Sequence, residues 1–217
     1  MENLEQNLLK YNLNNKKFIV FDFEVVEGLN VFYSRPHQLS WSIYNGSVYQ
    51  ETYNFYLKWE TPFRTSKKAA EITRFSQEKI DKEGVAPFLA FELFSKFIYN
   101  TEYYIVGSNT LNYDVMIFSN SCKKLGLRCD YSFLKRCYDV NALFKAWKLN
   151  RKINNENLLS FQFSCNNFVR KGLKSSVGYM SKEFGFELDE TRAHEAEYDT
   201  QKEIEIFFEL IKKIDLE

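Results

Sequence analysis

Short runs of β-branched and aromatic residues mark the first sixty positions, and helical spacing of apolar residues marks most of the remainder. Residues 17–24 (KFIVFDFE) read as a strand. Residues 39–43 and 48–57 read as two more, with Asn45-Gly46 between them as a hairpin turn. Residues 66–79 and 85–99 read as helices. In the second, Phe88, Phe91, Leu93, Phe94, Phe97 and Ile98 recur at helical spacing. Residues 103–107 form an apolar run expected to be a buried strand. A loop comes next, then a helix over 115–125 that Gly126 terminates. Residues 137–140 read as a further short strand leading into a helix over 141–149, while 150–175 keep to no single period. Residues 178–184 and 196–214 read as helices, the last carrying Ile204, Phe207, Phe208, Ile211 and Ile214 on one face. Three strands able to pair antiparallel, then alternating helix and strand, predict an α/β sheet covered by helices.

At 217 residues the chain suits one domain. Residues 1–16 read as a polar lead-in, 17–217 as the domain, and 150–176 as a basic and aromatic insertion within it. A hydrophobic share of 45% supplies a core, and a charged share of 27% argues against disorder. Aromatics reach 18%, a surplus expected mainly to fill that core, with a minority available for stacking on bases. Cys122, Cys129, Cys137 and Cys165 form no CxxC pair, so they read as reduced thiols. No apolar leader and no membrane-length run is present, so a cytoplasmic protein without a membrane partner is expected.

The formal net charge is zero, which removes bulk attraction to phosphate but leaves local asymmetry. Lys145, Lys148, Arg151, Lys152, Arg170, Lys171, Lys174 and Lys182 face the single acid Glu156 over that stretch, whereas 183–209 is mostly acidic.

Three groups of residues could carry chemistry. Asp22 and Glu24 share one strand face, with Cα atoms about 7 Å apart, so their carboxylates can converge on one cation. Without a cation they repel, and an otherwise apolar strand has no structural use for the pair, although solvent-facing alternation is the ordinary source of such a spacing. The segment Asn109-Thr-Leu-Asn-Tyr-Asp114 places Asp114 at the C-terminal edge of a strand, where α/β sheets hold their sites. A helix N-cap is the ordinary alternative for Asp114. The segment His194-Glu-Ala-Glu-Tyr-Asp199 leads into the last helix, whose start can aim both ends toward one point. Only two histidines exist, and His37 is expected in an ordinary loop after Pro36. Hard oxygen donors therefore favour Mg²⁺ or Mn²⁺ over a histidine-rich zinc site.

Read in order, these residues resemble the DnaQ-like (DEDDh) 3′–5′ exonucleases of the ribonuclease H-like fold, over residues 17–214. The family's DxE motif resembles Asp22-Phe23-Glu24, its Asn and aromatic-Asp pair resembles Asn109 and Tyr113-Asp114, and its HxxxxD resembles His194 through Asp199. Glu71-Ile72-Thr73 stands where the family often has Gly-Ile-Thr, and Tyr138-Asp139-Val140 resembles its further aspartate strand. The resemblance implies a mixed sheet, three antiparallel strands then parallel ones, with helices on both faces. It implies two divalent cations, Mg²⁺ or Mn²⁺, held by Asp22, Glu24, Asp114 and Asp199, with His194 taking the proton of the attacking water. It implies hydrolysis of phosphodiesters at the 3′ end of single-stranded or frayed DNA, leaving 5′-monophosphates. RNA trimming, or a proofreading subunit partnered with a DNA polymerase, are the alternatives.

The chain departs from that pattern at the substrate grip. The family's Thr-Thr-Gly is replaced by Val25-Val26-Glu27-Gly28-Leu29, leaving Leu29 and the backbone to meet the terminal nucleotide beside Asn109. Ser108 stands where a histidine is common. Within 150–176, Arg170 and Lys171, interleaved with Phe161, Phe163 and Phe168, could grip a single strand. The alternative is a helical hairpin that buries the phenylalanines. Polymerase-binding subunits of the family commonly carry a C-terminal tail. This sequence ends at Glu217 just after the last helix, so a polymerase contact is expected on the folded surface.

Overall fold

Strand β1 (Lys17–Val25) is buried along almost its whole length, as the apolar run Phe18–Phe21 at its centre requires. The computed structural model describes residues 15–27, 32–154, 156–189, 192 and 196–214. Within it, β1 pairs antiparallel with β2 (Pro36–Asn45), which pairs antiparallel with β3 (Val48–Tyr56). On its other side β1 pairs parallel with β4 (Tyr103–Gly107), and β4 with β5 (Cys137–Asp139). The order β3-β2-β1-β4-β5 is the expected mixed sheet, three antiparallel strands followed by parallel ones. Strand β1 runs on past its last β4 pair, Val20↔Val106, while β2 still accompanies it. That overhang carries Asp22 and Glu24.

Helices cover both faces. On one, Phe18 and Val20 pack with Leu143 and Phe144 of α5 (Val140–Lys148) and with Phe207 and Leu210 of α8 (Ala196–Lys213). On the other, Ile19, Phe21 and Phe23 meet Phe91 and Phe94 of α3 (Pro87–Ile98) and Phe118 of α4 (Asp114–Lys124). The Phe94 ring lies 5.1 Å from those of both Phe21 and Trp41. The aromatic surplus is thus largely core. Side chains alternate along β1, so Asp22 and Glu24 continue the Phe18–Val20 face, toward α8.

Several expected boundaries move, each for a local reason. The helix expected over 66–79 is two, α1 (Lys67–Ile72) and α2 (Gln77–Glu83). Ser66 and Ser76 each cap one, accepting from the amides of Ala69 and Lys79, and Arg74 turns the chain between them with φ 52°. Arg74 thus takes the glycine-preferring angle in the turn that follows Glu71-Ile72-Thr73. Helix α3 starts at Pro87, a residue suited to a first turn, and Val85 instead bridges to Leu57. Residues 131–136 form a 3₁₀ turn that the sequence pattern did not predict. The unassigned stretch holds α6 (Leu158–Asn166), capped by Asn157, and after it comes α7 (Val177–Glu183), capped by Ser176.

His37 is not in a loop. It lies in β2, 1% exposed, edge-on to Phe63 and Phe75, and burial pushes its pKa down to about 4. The four cysteines are free thiols, with Cys129 the least buried. Among the described residues no helix is long and apolar enough to cross a membrane.

Candidate active site

The overhang of β1 and the first turn of α8 bring three carboxylates together. Asp22, Glu24 and Asp199 each offer an oxygen, and these oxygens lie within 4.8 Å of one another. The start of α8 is fixed on the sheet by Thr200, whose hydroxyl is 3.0 Å from that of Ser42 in β2. Asp199 also sits where aligned helix amides favour negative charge.

Asp114 joins them from α4, but not as an N-cap. Tyr113 occupies the cap position, and Asp114 is the first helical residue. Its Oδ1 accepts the Phe23 N–H at 3.3 Å, so Asp114 braces the backbone between Asp22 and Glu24. That amide is free to donate because β4 has already ended beside it.

Burial, then the charge of Asp199, holds the Asp22 carboxyl above the usual carboxylate range; the Phe23 amide opposes this. Glu24 is pushed up by burial and by Asp22, Asp199 and Asp114, against a small opposing effect from Arg74. Asp114 is raised by burial and by Asp22. A cluster that disfavours its own ionisation is suited to a cation that supplies the missing charge. Its all-oxygen donors fit a hard divalent cation.

The turn leading to Asp114 is held from two sides. Asp139, fully buried, accepts from the amides of Asn109 (3.1 Å), Leu111 (3.0 Å) and Ala142 (3.1 Å) and from Asn166 Nδ2 (2.9 Å). Asn109 has φ 59°, a left-handed angle that asparagine tolerates better than most residues. Gly107 is required before it: a Cβ there would stand 2.1 Å from Thr110 Oγ1.

From the other side comes Glu203, which the motifs did not single out. It is 4% exposed, four residues after Asp199 on the same face of α8, and accepts the Ser108 N–H through Oε1 at 3.1 Å. Burial, then Asp22, Asp114 and Asp199, push its carboxyl well above the usual range. The available signal was its position: an acid at i+4 from Asp199, directly before the apolar Ile204. These groups open on one cavity of about 730 Å³, whose wall also includes Asn109, Tyr113 and Lys182.

No family model matches the sequence, and no curated protein matches it. Solved structures do match. One of exonuclease I superposes with a TM-score of 0.71 at 16% identity, covering 91% of this chain and 41% of that one. The chain has the fold of that part of exonuclease I. A zinc-bound E. coli exonuclease I complex with single-stranded DNA matches at 0.69 and 16%, covering 91% of this chain and 40% of that one. The E. coli enzyme with a dA16 oligonucleotide matches at 0.70 and 19%, covering 91% and 41%. The chain thus spans about two-fifths of the length of those proteins. The mixed sheet of three antiparallel strands then parallel ones is also the architecture that the family resemblance implied.

The remaining expected residues are less gathered. His194 and Leu29 lie outside the described residues. Arg170 and Lys171 do not reach the carboxylate cavity; with Lys148, Lys174 and Tyr179 they line a separate cleft of about 320 Å³. Helix α7 stands between the two, since Gly178 lines the cavity and Tyr179 the cleft. Phe161 is fully buried and Phe163 packs against the core, so those two rings are structural rather than base-stacking. Phe168 is 39% exposed. In place of Thr-Thr-Gly, Val26 is buried and Glu27 pairs with Arg35, whose guanidinium also donates to the Thr61 and Pro62 carbonyls.

Proposed function

We propose that this chain is a metal-dependent 3′–5′ exonuclease that removes nucleotides from the 3′ end of single-stranded or frayed DNA. The observation carrying this reading is the convergence of Asp22, Glu24 and Asp199, with Asp114 braced behind β1, at the sheet edge where the motif order requires them. DNA is favoured over RNA because the fold's neighbours include exonuclease I bound to single-stranded DNA. Residues 17–217 form the catalytic domain in this reading, with 150–176 as its basic addition.

Two divalent cations, Mg²⁺ or Mn²⁺, would when bound lower the pKa of a coordinated water and offset charge on the scissile phosphate. Asp22, Glu24 and Asp199 would hold them, and Asp114 would complete the set while its Oδ1 keeps β1 in place. The imidazole of His194 takes the water's proton on a ring nitrogen, a task suited to a group whose ordinary pKa is about 6.5. Lys182 on the cavity wall offers a cation to the incoming phosphate chain, and Asn109 faces the same space.

The test is a nuclease assay on DNA and RNA oligonucleotides labelled at either end, single- and double-stranded, with Mn²⁺ or with EDTA. Stepwise mononucleotide release from the 3′ end of single-stranded DNA, dependent on Mn²⁺, is expected. His194→Ala should lower the rate by about 100-fold. Internal cleavage, metal-independent cleavage or none at all would overturn the proposal.

A further inference from the structure

Glu203 is a buried carboxylate on the cavity wall that the proposed reaction leaves unused. Its two oxygens differ. Oε1 accepts the Ser108 amide, whereas Oε2 is buried and has no hydrogen-bond partner among the described residues. Asp139, at the opposite side of the same turn, shows what a purely structural buried carboxylate looks like here: four donors converge on its two oxygens. A lone acceptor from Ser108 could have been a glutamine or a serine, without the cost of burying a second carboxylate oxygen unpaired. Glu203 also lines the cavity of Asp22, Glu24, Asp114 and Asp199.

We propose that Glu203 is a fifth carboxylate of the cation site. Its Oε1 ties α8 to the Ser108–Asn109 turn, and its Oε2 accepts a hydrogen bond from the hydration shell of the cation held by its neighbours. This rests on the reading of Asp22, Glu24 and Asp199 as a cation site. One side chain thereby couples the helix that presents Asp199 to the turn that leads into Asp114. Groups of this outer kind typically contribute about 10- to 100-fold to metal affinity.

The experiment is calorimetric titration of Mn²⁺ into the metal-free protein, with thermal melts in EDTA alongside. Glu203→Gln keeps an acceptor for the Ser108 amide, so a role confined to holding the turn predicts unchanged Mn²⁺ binding. The fifth-carboxylate role predicts affinity about 10-fold or more weaker, with a melting temperature in EDTA at or above that of the parent. Asp22→Ala in the same titration separates two failures. If it binds Mn²⁺ like the parent, the underlying cation site is wrong. If it loses binding while Glu203→Gln keeps parental affinity, only the role of Glu203 is overturned. Should Glu203→Gln not fold, Glu203→Asp withdraws the oxygens by one methylene and is read the same way: weaker binding supports the role, parental affinity overturns it.

Discussion

An ionised Asp22 has oxygens of Glu24 and Asp199 within 4.8 Å. At an effective dielectric of about 20, one pair of unit charges at that distance repels by about 3 kcal/mol. Two such pairs involve Asp22, but proton uptake by its raised neighbours and partial exposure of Asp22 and Asp199 relieve much of the sum. Asp22→Asn removes the charge while leaving the shape, so the metal-free protein at pH 8 should gain about 1–2 kcal/mol. For a chain of this size that corresponds to a rise of roughly 2–8 °C in melting temperature. Divalent cation should reverse the order. At a hundredfold excess over its dissociation constant, a bound ion stabilises the parent by about 2.7 kcal/mol, and the asparagine variant should gain almost none of this. Thermal melts at pH 8 in EDTA and in MgCl₂ read both effects. An asparagine variant less stable than the parent in EDTA, or equally stabilised by Mg²⁺, would refute the idea that these carboxylates are held apart from their preferred state to await a cation.

The same cluster sets a pH dependence. Asp22, Glu24 and Asp114 have folded-state pKa values above their ordinary ones, so their contribution to stability is complete below about pH 4 and is lost as pH rises through the raised values. Melts in EDTA should therefore show the parent losing stability relative to Asp22→Asn between pH 5 and pH 8; a constant difference contradicts the shifts. Arg35 and Glu27 are only 12% and 11% exposed, so Arg35→Ala should cost about 3–5 kcal/mol in urea unfolding by stranding the carboxylate. A loss below 1 kcal/mol, within the range of an exposed pair, would mean that the pair does not brace the segment beside the site. Arg170→Glu combined with Lys171→Glu should lower the slope of log affinity against log salt for single-stranded DNA by about 1.4, read by fluorescence anisotropy. An unchanged slope would remove the basic cleft from the substrate path.

Legibility in the sequence depended on how each element buries its surface. Strands β1 and β4 were readable because both of their faces are covered, which leaves continuous apolar runs. Helix α6 was not, because Leu158, Phe161 and Cys165 face one core while Leu159 and Phe163 face the other. A helix buried on two sides shows no single apolar stripe. The break between α1 and α2 was hidden by apolar spacing that continues through it, although Ser66 and Ser76 were the local signs of two starts. Among the site residues, strand alternation placed Asp22 and Glu24 on one face, whereas nothing in the spacing brought Asp199 to them; its place beside them comes from the packing of α8 on the sheet. Asp114 took a bracing role that spacing alone does not distinguish from capping; the decision lay in the Phe23 amide left free by the end of β4.

The buried carboxylates divide by how their charge is answered. Asp139 is enclosed by four donors within the protein, so its position serves the fold and needs nothing from outside. Asp114 receives the Phe23 amide and Glu203 the Ser108 amide, and Glu203 Oε2 has no donor among the described residues. Asp22 and Glu24 meet mainly other carboxylates. A protein evolving for stability alone would replace such groups with amides or apolar residues at a gain. Their presence together on one cavity wall, on elements as separate as β1, α4 and α8, makes sense if the compensating charge arrives with a ligand. The donor count around each acid, more than the presence of acids in the sequence, is what separates the scaffold of this site from its working face.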